Sequence, residues 1–507
     1  MIKMSKLLIV MIVFALTGLY SADYHTAGAN TLRIGISTFP FSLNPVYATN
    51  ETASAVVNKV FDALYYFDSH GSVRKCLTES AHVGEKIDHL EIVLQLRKNI
   101  FFSNGKELDA EDVVETVKLL KNKDFSYPYV STISVIKEIT QINRYTVKLI
   151  LTDKVVAWEN YLTFKILNAW DIKKAKPGPF RDATLTGTGP YRLKAIENQS
   201  KILLERNPMY RPTVPRQMYT FLEFSLVAYT QLSPLKLLGQ EIDVCELQPE
   251  HIEAYKKTES WRQSFSVLKY KKFGYSYLVF NLKNPAITKN IRKLFYNLLI
   301  WGDFTTRFLN GRGERLVTPF IMSPGSTIPE RRETAPLNDK ISFKILINTE
   351  SKLRKEFALF LAQKVKPLHI ELKIVALEYH SFLEYLKNGR FDMALSGFVL
   401  DIGSDVGEIF QSDSAFNYAS FKNQTMDKLL KQGRLEKINQ KQAEIYKQAY
   451  RIWLEELPLI PIFDLFYNMG ISKRIQIPAE TYQLVGSAGD FLFNIQEWGA
   501  PKMPNSQ

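Results

Sequence analysis

One stretch constrains the fold more than any other. Phe343, Ile345 and Ile347 alternate as the apolar face of a strand, Leu353, Phe357, Phe360, Leu361 and Val365 repeat at helical spacing, and Ile370, Leu372 and Ile374 alternate again. A strand, a helix and a strand within about 35 residues make a βαβ unit, which requires a parallel sheet covered by helices. A further strand is expected at Phe391–Ser396 after a helical stretch at Ser381–Lys387, and a long helix over Gln440–Leu457 that stops before Pro458. The chain has 507 residues, well beyond the roughly 250–300 at which one hydrophobic core stops growing, so two or three structural units are expected.

The first half is also mixed. Leu32–Ser37 alternates and leads into a loop at Pro40, and helical spacing runs through Ala55–Leu64. Ile92, Leu94 and Leu96 share one strand face, and Tyr145–Leu151 reads as another strand. Between them Asp109 caps a helix, with Asp112 three residues on and an apolar stripe of Ala110, Val113, Val114 and Val117. Pro177-Gly178-Pro179 marks a loop near a domain edge.

Hydrophobic residues make up 46% of the chain and charged ones 23%, which supports real cores and excludes a disordered tail. The net charge is +13, yet the basic residues are spread along the chain with no run of five. That distribution suits attraction to an acidic surface or ligand and not a nucleic-acid stripe. The two cysteines, Cys76 and Cys245, exclude a disulfide framework and a cysteine-rich zinc site, and leave open a single bridge in an oxidising compartment. Lys3 and Lys6 precede the thirteen-residue run Leu7–Leu19, followed by small residues at Ser21-Ala22 and Ala27-Gly28-Ala29. This is the pattern of a secretory signal peptide, too short for a membrane-spanning helix, and no cysteine follows it for lipid attachment. An exported soluble protein is expected.

Catalytic signatures do not appear. The seven histidines never form H-E-x-x-H, there is no G-x-S-x-G elbow, and no phosphate-cradling glycine loop occurs. Asp401, Asp405 and Glu408 form an acidic cluster with no partner chemistry around it.

Several separated motifs agree in order. They are Ser42-Leu43-Asn44-Pro45, Leu96–Gly105, Leu108–Val113, Gly187-Thr188-Gly189-Pro190-Tyr191, Asn207-Pro208-Met209-Tyr210, Phe280-Asn281 with Asn290–Leu294, and Trp453–Pro461. Together they resemble the extracytoplasmic solute-binding proteins of family 5, the oligopeptide-, dipeptide- and nickel-binding components of ABC importers, and most of all the oligopeptide-binding ones. The resemblance spans about residues 31–470. It implies an α/β, two-lobed periplasmic-binding-protein-like fold of type II, with a hinge between lobes and a discontinuous first lobe carrying an extra α/β domain. The implied division is a signal peptide at 1–29, lobe 1 at 30–47, 185–275 and 466–507, an extra domain at 48–184, and lobe 2 at 276–465.

The resemblance also implies a site. Gly389–Asp401 is similar to the family's "G-x-F-D-x-x-x-x-G-W-x-x-D", which places Asp401 at the carboxylate that holds a peptide's α-ammonium group, with Phe398 where an aromatic wall stands and Gly397 beside it. Thr49, Asn50 and Glu51 match the segment that pairs with peptide backbone, and backbone pairing accepts any side chain. Tyr275 and Tyr277 fall near the expected hinge and cleft. The strand Met393-Ala394-Leu395 lacks the cation some members place there, leaving Arg312 and Arg315 as alternatives for a peptide's carboxylate. The expected protein is a periplasmic, monomeric, non-catalytic binder that takes no cofactor, captures short peptides and delivers them to membrane permease subunits. Cell-wall peptides, a nickel chelate or another small solute, and secreted hydrolysis are the alternatives.

Overall fold

The computed structural model describes residues 30–477, except 49, 69–71, 126, 175–184, 212–218, 272–273, 302–307, 310–312, 321–336, 400–406 and 437–438, together with 492, 495 and 498. Cys76 and Cys245 are both buried and unpaired, in separate parts of the molecule. Among the described residues no helix is long and apolar enough to cross a membrane.

The elements that place the cleft are, in chain order, β1 (Thr31–Ile36), α1 (Glu51–Val60), β2 (Leu90–Leu96), α2 (Ala110–Lys121), β3 (Phe221–Leu226), β4 (Val244–Leu247), β5 (Gly274–Phe280), β6 (Ile341–Asn348), α3 (Lys352–Val365), β7 (Ile370–Leu377), α4 (Tyr379–Lys387), β8 (Met393–Val399), α5 (Asn439–Glu456) and β9 (Leu459–Ser472). The βαβ unit expected from periodicity is present: β6 and β7 run parallel in register from Ile341↔Ile370 to Asn348↔Leu377, with α3 between them. Phe357, Leu361 and Val365 of α3 are buried beside Phe343, Ile345 and Ile347 of β6. The long helix occupies Asn439–Glu456, within a residue of its expected ends. The first helix begins earlier than its apolar spacing suggests, because Asn50 Oδ1 accepts from Ala53 N–H at 2.8 Å and caps it there.

Twelve of the described strands form one sheet, running from β7 through β6, β8, β5 and β9 to β4, β1 and β3. β9 unites its two halves. Its first part pairs with β5 between Leu459 and Phe463, and its last part pairs with Phe265–Lys271 and with β4. The strand is fourteen residues long, and the register shifts opposite Ser276 and Tyr277 near Pro461, where proline cannot donate a ladder hydrogen bond. The chain therefore passes between the halves as strand along β9.

Separate hydrophobic cores lie on either side of this bridge. One gathers Phe280, Phe295, Phe357 and Trp453 around β5–β8; another gathers Leu32, Phe224, Tyr191 and Trp498 around β1 and β3. A third sits under the antiparallel four-stranded sheet that contains β2 and packs α2 through Val113 and Val117. The capping box read at Asp109 is formed, and Asp112 goes further: fully buried, it also accepts Ala169 N–H at 2.7 Å and Lys106 Nζ at 2.9 Å.

The recurrent motifs hold this scaffold together. Gly187 and Gly189 press against the carboxyl end of α1, where Gly189 N–H donates to Val60 O at 2.9 Å. Asn207 Nδ2 donates to Gly189 O at 2.9 Å and Asn281 Nδ2 to Phe391 O at 2.8 Å, while Trp453 Nε1 donates to Leu459 O at 2.9 Å. Arg292, six per cent exposed, spans Glu456 O and Ile287 O at 2.8 and 2.7 Å.

Candidate functional site

Where the three cored regions meet lies a cleft of about 1280 Å³, larger than the roughly 300–1,000 Å³ of ordinary small-molecule pockets. Its walls come from all three: Asn50, Glu51 and Asp62 around α1, Tyr127, Tyr129 and Tyr161 beside the four-stranded sheet, and Tyr275, Arg354, Tyr379 and Phe398 from the β5–β8 side. Contacts also join the regions around it. The rings of Phe41 and His380 stand 5.2 Å apart and those of Tyr129 and Phe416 5.7 Å, and ion pairs join Lys352 to Glu250 at 2.7 Å and Lys431 to Asp153 at 3.1 Å.

One wall is aromatic. Phe398 stands on β8 opposite Tyr275 of β5, their ring centres 4.5 Å apart edge to face, and 5.7 Å from Tyr277. Both tyrosines are buried. Burial raises the Tyr277 hydroxyl to about 12 and carries Tyr275 well above its ordinary value. The Tyr275 hydroxyl has no hydrogen-bond partner among the described residues.

A charged group sits near the end of α1. Asp62 Oδ2 accepts from Arg211 Nη2 and from Thr188 Oγ1, each at 3.2 Å, so the Gly-Thr-Gly turn is tied to the cleft floor. Desolvation raises the Asp62 carboxyl above its usual range, against the opposing pull of Arg211 and Lys165. Cys76 borders the same cluster, and burial pushes its thiol up to about 12, which leaves it unreactive at neutral pH.

The residues singled out in the sequence are distributed unevenly. Phe398, Gly397, Tyr275, Tyr277, Asn50 and Glu51 all line the cleft. Asn50 also caps α1 through its side-chain oxygen. Arg315 is not part of the lining; it lies on the short strand Gly313–Arg315 beside β9 and donates to the Ile300 carbonyl. Asp401, Thr49 and Arg312 fall outside the described residues. Sequence reading missed Arg354, which reaches into the cleft from the first turn of α3. A base in a helix's first turn opposes the helix dipole, and that was the available signal.

Comparison with known proteins gives a consistent answer. Residues 73–295 match the family described as bacterial extracellular solute-binding proteins, family 5. The chain is similar to family 5 solute-binding proteins. A curated relative is the oligopeptide-binding protein AppA of Bacillus subtilis, 23% identical, the match covering 93% of this chain and 92% of AppA. Among solved structures, AppA in complex with a nonapeptide superposes with a TM-score of 0.79 at 21% identity, over 93% of this chain and 99% of that one. NikZ of Campylobacter jejuni in complex with Ni(L-His) gives 0.81 at 20% identity over 93% and 99%. The chain thus shares the fold of solved proteins whose bound ligands differ in kind, a nonapeptide in one and Ni(L-His) in the other.

Proposed function

We propose that this protein is the peptide-capturing component of an ABC importer, exported by its amino-terminal segment, and that it binds short peptides between its two halves and presents them to membrane permease subunits without cleaving them. The observation that carries the reading is the cleft itself: large, walled by tyrosines, phenylalanines and separate charged groups, and set between two halves that share the long strand β9. Tyrosines offer broad contact surfaces at little entropic cost, which suits cargo of varied side chains. The relatives AppA and OppA of Haemophilus influenzae, the latter solved with the peptide RPPGFSPFR, support peptide as the cargo. Lobe 2 is proposed to comprise 276–465, the extra domain 48–184, and lobe 1 the remainder after residue 29.

Denaturing mass spectrometry of whatever copurifies tests this reading. A mixed set of short peptides is the expected result; a nickel chelate or another single small solute would replace it with the alternative cargo. Asp401 is proposed as the anchor of the peptide's ammonium group. Asp401→Asn is expected to weaken peptide binding by tens- to thousands-fold, about 2–5 kcal/mol, because one charge of a desolvated pair is left unmatched. Equal affinity of the variant by titration calorimetry would remove Asp401 from the site.

A further inference from the structure

Two groups of contacts join the β5–β8 half to the regions that face it, and both have the same make-up: one ring pair and one ion pair. In the first, Phe41 meets His380 with ring centres 5.2 Å apart, and Lys352 meets Glu250 at 2.7 Å. Phe41 lies in the loop after β1, and Glu250 opens the helix Pro249–Lys257 that follows β4. Lys352 and His380 stand in the first turns of α3 and α4, which follow β6 and β7. β1 and β4 are parallel neighbours, as are β6 and β7. The carboxyl ends of two parallel strand pairs are therefore what this group brings together.

In the second, Tyr129 meets Phe416 with ring centres 5.7 Å apart, and Lys431 meets Asp153 at 3.1 Å. Here the facing region is the one built on the four-stranded sheet. Asp153 follows its strand Thr146–Leu151, and Tyr129 precedes the short helix Val130–Ser134. Within each group the ring and the charge on one side share a base. Thr152 N–H donates to Val135 O at 2.8 Å, which ties the Asp153 loop to the helix behind Tyr129. Opposite them, Ser412 N–H donates to Asp427 Oδ1 at 3.0 Å, which ties the Phe416 loop to Lys431 on the helix Gln424–Leu435. Glu350 does the same in the first group, accepting from Asn348 Nδ2 at 2.9 Å and from Tyr379 N–H at 3.0 Å between α3 and α4. A ring pair and an ion pair on a common base part together.

We propose that the two groups are clasps, one on the β1/β4 half and one on the four-stranded-sheet region, which hold the β5–β8 half in place and make its parting depend on ionic strength. The inference goes beyond the peptide reading, because it concerns how the halves are held whatever the cargo. Both ion pairs join partly exposed side chains, so salt screens them. Contact between aromatic rings is not screened. Each clasp thus combines a salt-sensitive part with a salt-resistant one. The clasps share no residue, so their effects on the open-to-closed ratio multiply. The four-stranded-sheet region then holds the opposite half as well as lining the cleft.

The test is fluorescence energy transfer within the ligand-stripped full chain. Cys76 and Cys245 are buried with raised thiols, so dyes go selectively to cysteines introduced at exposed lysines. Lys447→Cys with Lys256→Cys reads the first clasp, and Lys447→Cys with Lys118→Cys reads the second. Glu250→Lys is expected to lower transfer in the first pair and Asp153→Lys in the second. Each corresponds to a rise of about two- to fivefold or more in the open-to-closed ratio, and the combined variant to the product of the two. Exchanging the charges, by adding Lys352→Glu to the first variant or Lys431→Glu to the second, is expected to restore the transfer. In the parent chain, transfer in both pairs is expected to fall as salt rises from about 0.01 to 1 M, where the screening length shrinks from roughly 30 to 3 Å. Transfer that neither reversal changes, or a loss that the exchanged charges do not restore, would overturn the clasps. A loss confined to one pair would overturn the two-point arrangement. No cargo enters the measurement, so either result leaves peptide capture standing, and a failure to bind peptides leaves the clasps standing.

Discussion

Gly187→Ala is expected to lower the melting temperature by roughly 6–12 °C, from a destabilisation of about 3 kcal/mol spread over a unit of 150–250 residues. A Cβ at Gly187 would sit 1.8 Å from Val60 O and 2.6 Å from Val60 C. Both are backbone atoms at the end of a capped helix, so no side-chain rotation relieves the overlap and the turn itself must withdraw. Withdrawal strains a connected set of bonds: Ser103 N–H to Gly187 O and Gly189 N–H to Val60 O, both 2.9 Å, and Thr188 Oγ1 to Asp62 at 3.2 Å. Loss of the last would also leave Asp62 less satisfied in a site where it is already desolvated. Circular dichroism melts of the two proteins check this, and melting within one degree of wild type would mean that the turn does not pack on α1 as described.

Gly397→Ala is expected to do the reverse: leave the fold nearly intact and weaken cargo binding in the cleft by about tenfold or more. The nearest atom to the added methyl is Arg354 Nη2 at 2.9 Å, the free end of a long side chain that swings away at little cost. The backbone neighbours are less close, Tyr275 O at 3.2 Å and Ser276 Cα at 3.5 Å, and accommodate a methyl group by small shifts. The methyl therefore displaces the guanidinium from its position without opening the sheet. Parallel melts and titrations make the contrast with Gly187→Ala explicit; two glycines of the same chain fail in different ways because one faces backbone and the other faces a movable cation. Unchanged affinity together with an unchanged melt would show that cargo does not depend on the cleft wall at Gly397 and Arg354.

These two positions also show how far the fold and the cleft are legible in the amino-acid sequence. Alternation and helical stripes locate β6, α3 and β7 because burial against a sheet imposes those periods directly on the side chains. The motifs Gly187–Tyr191, Asn207–Tyr210 and Trp453–Pro461 are legible because each answers a backbone demand, whether close approach, a buried amide or a stopped helix, that few residue types meet. For the same reason they report on the scaffold more than on the cargo. Phe398 and Gly397 are found through the resemblance carried by Gly389–Asp401, and Tyr275 and Tyr277 through their place just before the second lobe; all four line the cleft. Arg354 escapes because Lys352, Arg354 and Lys355 look alike in a basic first turn. Only the rotation of α3 decides that one turns into the cleft while Lys352 bridges to Glu250. Arg315 is misplaced by sequence proximity, since its strand faces β9 and its guanidinium is spent on the Ile300 carbonyl.

The most direct test of the account is a calorimetric titration of the ligand-stripped wild-type protein with a defined mixture of short free-acid peptides. Capture between closing halves predicts saturable one-to-one binding with a negative heat-capacity change from apolar burial against the tyrosine and phenylalanine walls. Absence of any peptide binding under conditions where the nickel–histidine chelate binds would contradict it.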